Sequence, residues 1–207
     1  MSRHIDYYFS LVSPWAYIGH RFFLDIARRR DATIAYKPVL LSEVFSETGG
    51  LPLAKRHPAR QAYRMVELQR WREKRKLAFD LQPKYWPFDA DLANCVVVAM
   101  VAAGADPSSF VQSVFDGVWE GQRNLADPAI LAGVLREAGA DPGAVLAEAG
   151  RPEIRAAYEA NRLAAIAIGV FGSPSYVLDG EVFWGQDRLD LLDDALASSR
   201  TPFLAKV

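Results

Sequence analysis

The sequence predicts an α/β fold: a mixed sheet whose two halves are separated by an all-helical insertion. Three observations predict it. The chain opens with a strand–helix–strand pattern, its middle is punctuated only by helix caps, and it closes with a hairpin and one more helix. With 207 residues, 51% of them hydrophobic, the chain can hide about 70% of its unfolded surface in a real core.

The elements follow in order. Ile5, Tyr7 and Phe9 alternate with polar or smaller partners, which reads as a strand. Ser13-Pro14 is an N-cap followed by a helix-opening proline. That helix should run to about residue 30, where Arg28, Arg29 and Arg30 suit its negative end. Ile34, Tyr36 and the run Val39-Leu40-Leu41 suggest a second strand, completing a βαβ unit with parallel strands and a right-handed crossover. Residues 57–168 read as helical throughout. Ala126-Asp127-Pro128 and two copies of Ala-Gly-Ala-Asp-Pro, at 103–107 and 138–142, share one logic. Glycine ends a helix in the left-handed conformation, aspartate caps the next and proline opens it. The flanks do not repeat, so this is punctuation and not a repeat array. The last helix of the block, residues 155–168, stops at Gly169. Residues 175–178 and 181–184 flank Asp179-Gly180, a hairpin signal of the type I′ kind. A final helix spans roughly residues 188–198. The expected division is a sheet unit of residues 1–45 and 169–207, with residues 46–168 inserted.

Composition removes several function classes. A formal net charge of −1 argues against a general nucleic-acid binder. One cysteine excludes an internal disulfide, a C-x-x-C redox pair and a multi-cysteine zinc site. His4, His20 and His57 have no metal-ligand spacing, and phosphate-loop, dinucleotide and G-x-S-x-G motifs are absent. Uncharged runs such as residues 92–105 are too short to span a bilayer. Met1-Ser2-Arg3-His4-Ile5-Asp6 has no apolar leader pattern, so a cytoplasmic location is expected.

Four places can carry chemistry. Ser13 is either a plain helix cap or a hydroxyl that donates to an anion at a helix N-terminus. Ser10, just before it, reads as structural. Gly172-Ser173-Pro174-Ser175 either begins a strand harmlessly or, with a cis proline, turns the Ser173 backbone outward to pair with a peptide-like ligand. In Trp184-Gly185-Gln186-Asp187-Arg188, Asp187 is a helix cap, an ion-pair partner of Arg188, or an acid that holds a ligand ammonium. Residues 55–76 hold nine Lys or Arg against two Glu. They form a solvated helix face, packed through Tyr63, Val66 and Trp71, or in part a collector of a carboxylated substrate. The loop Tyr85-Trp86-Pro87-Phe88 is a core plug or the wall of an aromatic pocket. Cys95, among valines, is a packing residue.

Tyr7-Tyr8-Phe9-Ser10-Leu11-Val12-Ser13-Pro14-Trp15 resembles the start of the 2-hydroxychromene-2-carboxylate isomerases. These are thioredoxin-like proteins related to kappa-class glutathione transferases and disulfide oxidoreductases. Glu67-Leu68-Gln69-Arg70-Trp71, Gly169-Val170-Phe171-Gly172-Ser173-Pro174 and Phe183-Trp184-Gly185-Gln186-Asp187-Arg188-Leu189 resemble further blocks of that family, in the same order. The resemblance implies a thioredoxin-like fold with a helical insertion, a homodimer, and glutathione as cofactor. It implies cis-trans isomerisation of 2-hydroxychromene-2-carboxylate and trans-o-hydroxybenzylidenepyruvate-type compounds through a transient glutathione adduct. Ser13, where redox relatives carry cysteine, would contact the glutathione sulfur, and Ala16 replaces the second cysteine. Ser173, before a cis Pro174, would hold the tripeptide backbone. Trp184, Gly185, Gln186 and Asp187 would bind glutathione, with Asp187 facing its ammonium. Tyr85, Trp86 and Pro87 would meet the small aromatic carboxylate substrate. The chain departs from the family in three places: Thr48-Gly49-Gly50-Leu51-Pro52-Leu53 lacks an expected Asn, Ser173 replaces an apolar residue, and Tyr85-Trp86-Pro87-Phe88-Asp89 stands where the naphthalene-degrading isomerases carry Asn and Arg groups. The competing readings are a kappa-like transferase or peroxidase, and a catalytically silent thioredoxin-like binding module.

Overall fold

β1 (His4–Phe9) is the inner strand around which the chain is built, with one face fully apolar and the other apolar at its C-terminal end. Ile5, Tyr7 and Phe9 are fully buried on one face and Tyr8 is buried on the other. The computed structural model describes residues 3–198 and 200–205. Residues 1–2, on which the leader reading turns, and 199 and 206–207, in the second expected sheet segment, lie outside the described residues.

β1 pairs in parallel with β2 (Thr33–Pro38) and antiparallel with β3 (Ser175–Leu178), which turns back into β4 (Glu181–Trp184). The order is β2-β1-β3-β4. Asp179 and Gly180, with φ of 51° and 85°, supply the two positive values a type I′ hairpin needs. On one face, α1 (Pro14–Arg29) brings Phe23 and Ile26 onto Tyr7 and Tyr176, and α9 (Leu189–Ala197) adds Leu189 and Leu192 to the same core. On the other face, Tyr8 and Val177 meet Val44 of α2 (Leu41–Thr48) and Ala165 of α8 (Pro152–Ala167). The sheet is therefore sandwiched, and the insertion folds back onto it.

The inserted helices are α3 (Pro58–Arg75), α4 (Asp91–Ala102), α5 (Ser108–Trp119), α6 (Pro128–Glu137) and α7 (Pro142–Ala149). Residues 93–100 of α4 are all buried, as a helix that is apolar nearly all round requires. Cys95 is among them, and burial pushes its thiol pKa up, which keeps it inert. Two of the three Asp-Pro caps are formed as read. At Asp106-Pro107 the helix α5 starts one residue later, with Pro107 in the cap position, although Asp106 still accepts from the Ser108 N–H at 2.9 Å. Asp127 accepts from the Ala129 N–H at 2.8 Å and Asp141 from the Gly143 N–H at 2.9 Å. Gly104 and Gly139 have φ of 73° and 80°.

Four expectations need correction. Val39-Leu40-Leu41 is not strand: β2 ends at Pro38, and α2 starts at Leu41 so that Val44 can cover the second sheet face. The block 57–168 is not helical throughout. Lys76 is left-handed, at φ 53°, and ends α3, and residues 76–90 run irregularly through Pro83 and Pro87. α3 packs through Leu68, Met65 and Trp71, one i, i+3, i+6 stripe, leaving Tyr63 and Val66 exposed. The last helix of the block starts at Pro152, three residues earlier than the pattern suggested. Among the described residues, no helix is long and apolar enough to cross a membrane, and no group of three or more acidic, His or Cys side chains could hold a metal.

Candidate functional site

Three segments distant in sequence meet at the C-terminal end of β1: residues 10–13, 172–175 and 184–187. Sheet register begins the assembly, since β3 and β4 pair Ser175 with Trp184. Backbone bonds finish it. The Gly185 N–H donates to the Pro174 carbonyl at 2.8 Å, and the Ser10 N–H donates to Ser173 Oγ at 2.9 Å. That second bond gives the Ser173 hydroxyl a structural task that an apolar residue at this position would not have.

Ser13 caps α1 with extended backbone, φ −86° and ψ 118°, and its Oγ accepts from the Ala16 N–H at 3.3 Å. The same hydroxyl donates to the Ser173 carbonyl at 3.3 Å. O–H···O bonds ordinarily fall between about 2.5 and 3.0 Å and N–H···O bonds between about 2.7 and 3.2 Å. Both are therefore weak, and the hydroxyl can turn toward a better acceptor at little cost. The first turn of α1 carries no acidic residue, so nothing there opposes the positive end of the helix dipole. The Ser173–Pro174 peptide is cis.

Trp184 is half exposed and its ring meets Phe171 edge-on at 4.7 Å. It lies so close over Gly172 that a Cβ there would sit 2.2 Å from its Nε1. Gly185 has φ 103°, which turns the chain into the 3₁₀ turn Gln186–Arg188. Gln186 is 2% exposed and its Oε1 has no partner. Asp187 caps nothing: neither the 3₁₀ turn nor α9 has a side-chain cap bond. It pairs with Arg188 at 2.6 Å, with 47% of its side chain still exposed. The turn can approach α1 only because position 19 is glycine; a Cβ there would lie 2.6 Å from Gln186 Cβ. Pattern reading passed over Gly19, and its signal was a glycine inside an otherwise regular amphipathic helix.

The aromatic loop divides its residues between two tasks. Trp86 donates from Nε1 to the Val12 carbonyl at 2.8 Å and packs on Trp119, so it braces the segment just before Ser13. Arg64 of α3 lies 5.4 Å from the Trp86 ring centre, and burial lowers its pKa. Tyr85 and Pro87 are exposed, and the Trp86–Pro87 peptide is cis. It is Phe88, with Asp89 and Ala90, that lines a cleft of about 480 Å³ shared with Ser10 and Val12. The structure thus brings together Ser13, Ser173, Pro174, Trp184, Gly185, Gln186 and Asp187. It places Trp86 beside them through Val12, and leaves Tyr85 and Pro87 outside the cleft lining.

The family described as a DSBA-like thioredoxin domain matches residues 4–197. A 2-hydroxychromene-2-carboxylate isomerase from Sphingobium xenophagum is 29% identical over 198 residues, 95% of this chain and 99% of that protein. A solved structure of a 2-hydroxychromene-2-carboxylate isomerase superposes with a TM-score of 0.79 at 26% identity, covering 94% of each chain. Glutathione S-transferase kappa 1 of Caenorhabditis elegans is 37% identical over 67 residues, 32% of this chain and 29% of that protein.

Proposed function

This chain belongs to the DsbA-like thioredoxin-domain family, and from that premise we propose that it is a glutathione-dependent isomerase of an aromatic enone carboxylate, of the 2-hydroxychromene-2-carboxylate kind. One observation carries the reading. A serine and not a cysteine caps α1 beside the Ser173 carbonyl, while Cys95 is buried in α4. A thiol used here must therefore come from a bound molecule.

The residues present fit a γ-glutamyl tripeptide. The Ser173 carbonyl is held only by a weak bond, as a strand-like hook for a peptide backbone requires. The Asp187 carboxylate is half exposed and can face an ammonium group. The buried, unpartnered Gln186 Oε1 can accept a further ligand N–H. Bound glutathione would supply a sulfur nucleophile that adds to a conjugated carbon, turning the double bond there into a single bond that can rotate before the thiolate leaves and the double bond is restored.

The task of the protein is to keep that sulfur ionised. A free thiol of pKa about 8.5 is only about 3% ionised at pH 7. Lowering it by about two units takes about 2.7 kcal/mol. A helix N-terminus contributes up to about 2 kcal/mol and a hydroxyl donating to a charged acceptor about 1.5–3 kcal/mol. Ser13, at the start of α1, offers both without a cationic side chain. Trp15, Tyr17 and Ile18 keep the first turns of α1 largely dry. In this reading the sheet unit, residues 1–45 and 169–207, holds glutathione. The insertion, residues 46–168, walls the substrate through Phe88, with Trp86 bracing that wall from behind and Tyr85 and Pro87 at its outer rim. A cytoplasmic homodimer completes the proposal, and the homodimer rests on the resemblance alone.

The test is an ultraviolet assay on a panel of hydroxychromene carboxylates and simple electrophiles, with and without glutathione. Interconversion of the chromene and its ring-opened isomer only when glutathione is present is the expected result. Stable conjugates with the electrophiles would make the protein a kappa-like transferase. Retention on immobilised glutathione with no turnover of any compound would make it a binding module.

A further inference from the structure

The cleft of about 480 Å³ beside Val12 opens between the end of β1, the start of α2 and the first turn of α4. Val39, Leu40, Leu41 and Phe88 give it an apolar wall suited to a ring. Among the described residues its polar lining holds no basic residue: Asp89 and Asp91 contribute carboxylates, Asp91 already paired with Arg155 at 2.6 Å, and Ser10 and Ser42 add to it. Asn94, 3% exposed, also lines it. Its Nδ2 donates to the Tyr158 hydroxyl at 2.9 Å, while Oδ1 has no partner. A buried carboxamide oxygen left without a donor, at the edge of a cavity, calls for a donor from whatever fills that cavity. Asn94 interrupts the apolar run of α4, and its bond to Tyr158 accounts for its amide nitrogen but not for its oxygen.

We propose that this cleft receives the uncharged hydroxyaryl end of the substrate, with Asn94 Oδ1 accepting from the ring hydroxyl. The specificity that follows is for a neutral hydrogen-bond donor on the ring, since Asn94 Oδ1 can only accept and the Asp89 carboxylate disfavours an anion at this end. Val12 belongs to both the cleft lining and the Trp86 contact. The cleft therefore reaches the residue next to Ser13. The identity of the substrate rests on the isomerase reading; the binding preference of the cleft does not.

The test uses three simple probes without glutathione: 2-propylphenol, its methyl ether and 2-propylbenzoate, titrated calorimetrically into the full chain. The phenol is expected to bind roughly threefold to tenfold more tightly than the ether, the span of one net hydrogen bond, and the benzoate more weakly than both. Asn94→Leu should erase the preference of phenol over ether. Leu40→Trp, at a 43% exposed lining position, should weaken phenol and ether alike by tenfold or more. Equal binding of phenol and ether by the unaltered chain, benzoate binding as tight as phenol, or phenol binding untouched by Leu40→Trp would each overturn the proposal. If Asn94→Leu does not fold, the probe comparison and Leu40→Trp still decide. Because no probe titration contains glutathione, a failed glutathione-dependence assay refutes the isomerase reading separately.

Discussion

Replacing Ser13 by alanine separates its two roles. As a cap, Ser13 makes a 3.3 Å bond to the Ala16 N–H and a 3.3 Å bond to the Ser173 carbonyl. Cap removal costs about 0.5–2 kcal/mol, and bonds this long put the loss near the lower end. Pro14 still opens the helix, so the variant folds. As a donor to a sulfur anion, the hydroxyl is worth about 1.5–3 kcal/mol, or roughly 1.1–2.2 pKa units at 1.36 kcal/mol per unit. A bound thiol near pKa ~6.5 would rise to about 7.6–8.7, and its ionised fraction at pH 7 would fall from about 75% to between about 20% and 2%. Turnover at pH 7 should then drop about 4- to 40-fold. The sign of the pH effect follows: above the raised pKa both proteins carry thiolate, so the gap closes toward about pH 9.5. The assay is the pH–rate profile alongside the ultraviolet absorbance of bound thiolate. A loss of rate that is equal at pH 7 and 9.5, or an unchanged thiolate titration, would remove Ser13 from this role.

Further outcomes follow from the same geometry. Asp187→Asn should raise the Kd for glutathione about three- to tenfold, the modest effect of a half-exposed carboxylate, and change the saturated rate less; calorimetric titration beside steady-state kinetics checks it. Gly19→Ala would put a methyl group 2.6 Å from Gln186 Cβ and 3.1 Å from the Tyr176 hydroxyl. Overpacking of that kind costs about 1–3 kcal/mol, a fall in Tm of about 3–10 °C, with weaker glutathione binding as the 3₁₀ turn is pushed off α1; scanning calorimetry reads the first effect. His20 is fully buried against Tyr7, and burial lowers its pKa to about 3. The unfolded chain therefore binds one more proton than the folded chain between pH 6.5 and about 3, so stability falls as pH drops through that window. The His20 share is about 2 kcal/mol from pH 6.5 to 5. Denaturant titrations of His20→Phe should show a shallower acid slope than the unaltered chain, and equal slopes would exclude His20 as the source.

Local elements were legible because their signals are local. Ser13 before Pro14, Asp127 before Pro128 and Asp141 before Pro142 all cap as their types predict, since each satisfies free N–H groups within its own first turn. The Asp179-Gly180 hairpin follows from two residues that tolerate positive φ. Failures came where tertiary contacts override local preference. The apolar run Val39-Leu40-Leu41 has strand composition, yet α2 forms there because the second face of the sheet must be covered. Tyr63 and Val66 look like packing residues until the phase of α3 is set by Leu68 against its neighbours. In the site, the three segments carry recognisable residues, but Asn94 and Gly19 gained meaning only from a cavity and a close approach.

The amino-acid sequence by itself determined the order of strands and helices, the caps, and the exclusion of dithiol chemistry, because each depends on residue type and short spacing. Only the tertiary structure decided that the Ser13 hydroxyl meets the Ser173 carbonyl across 160 residues, that Gln186 sits buried against Gly19, and that a cleft lies beside both Val12 and Asn94. Those are distances between segments set by the packing of α1 and the insertion onto one sheet, and no local pattern along the chain contains them.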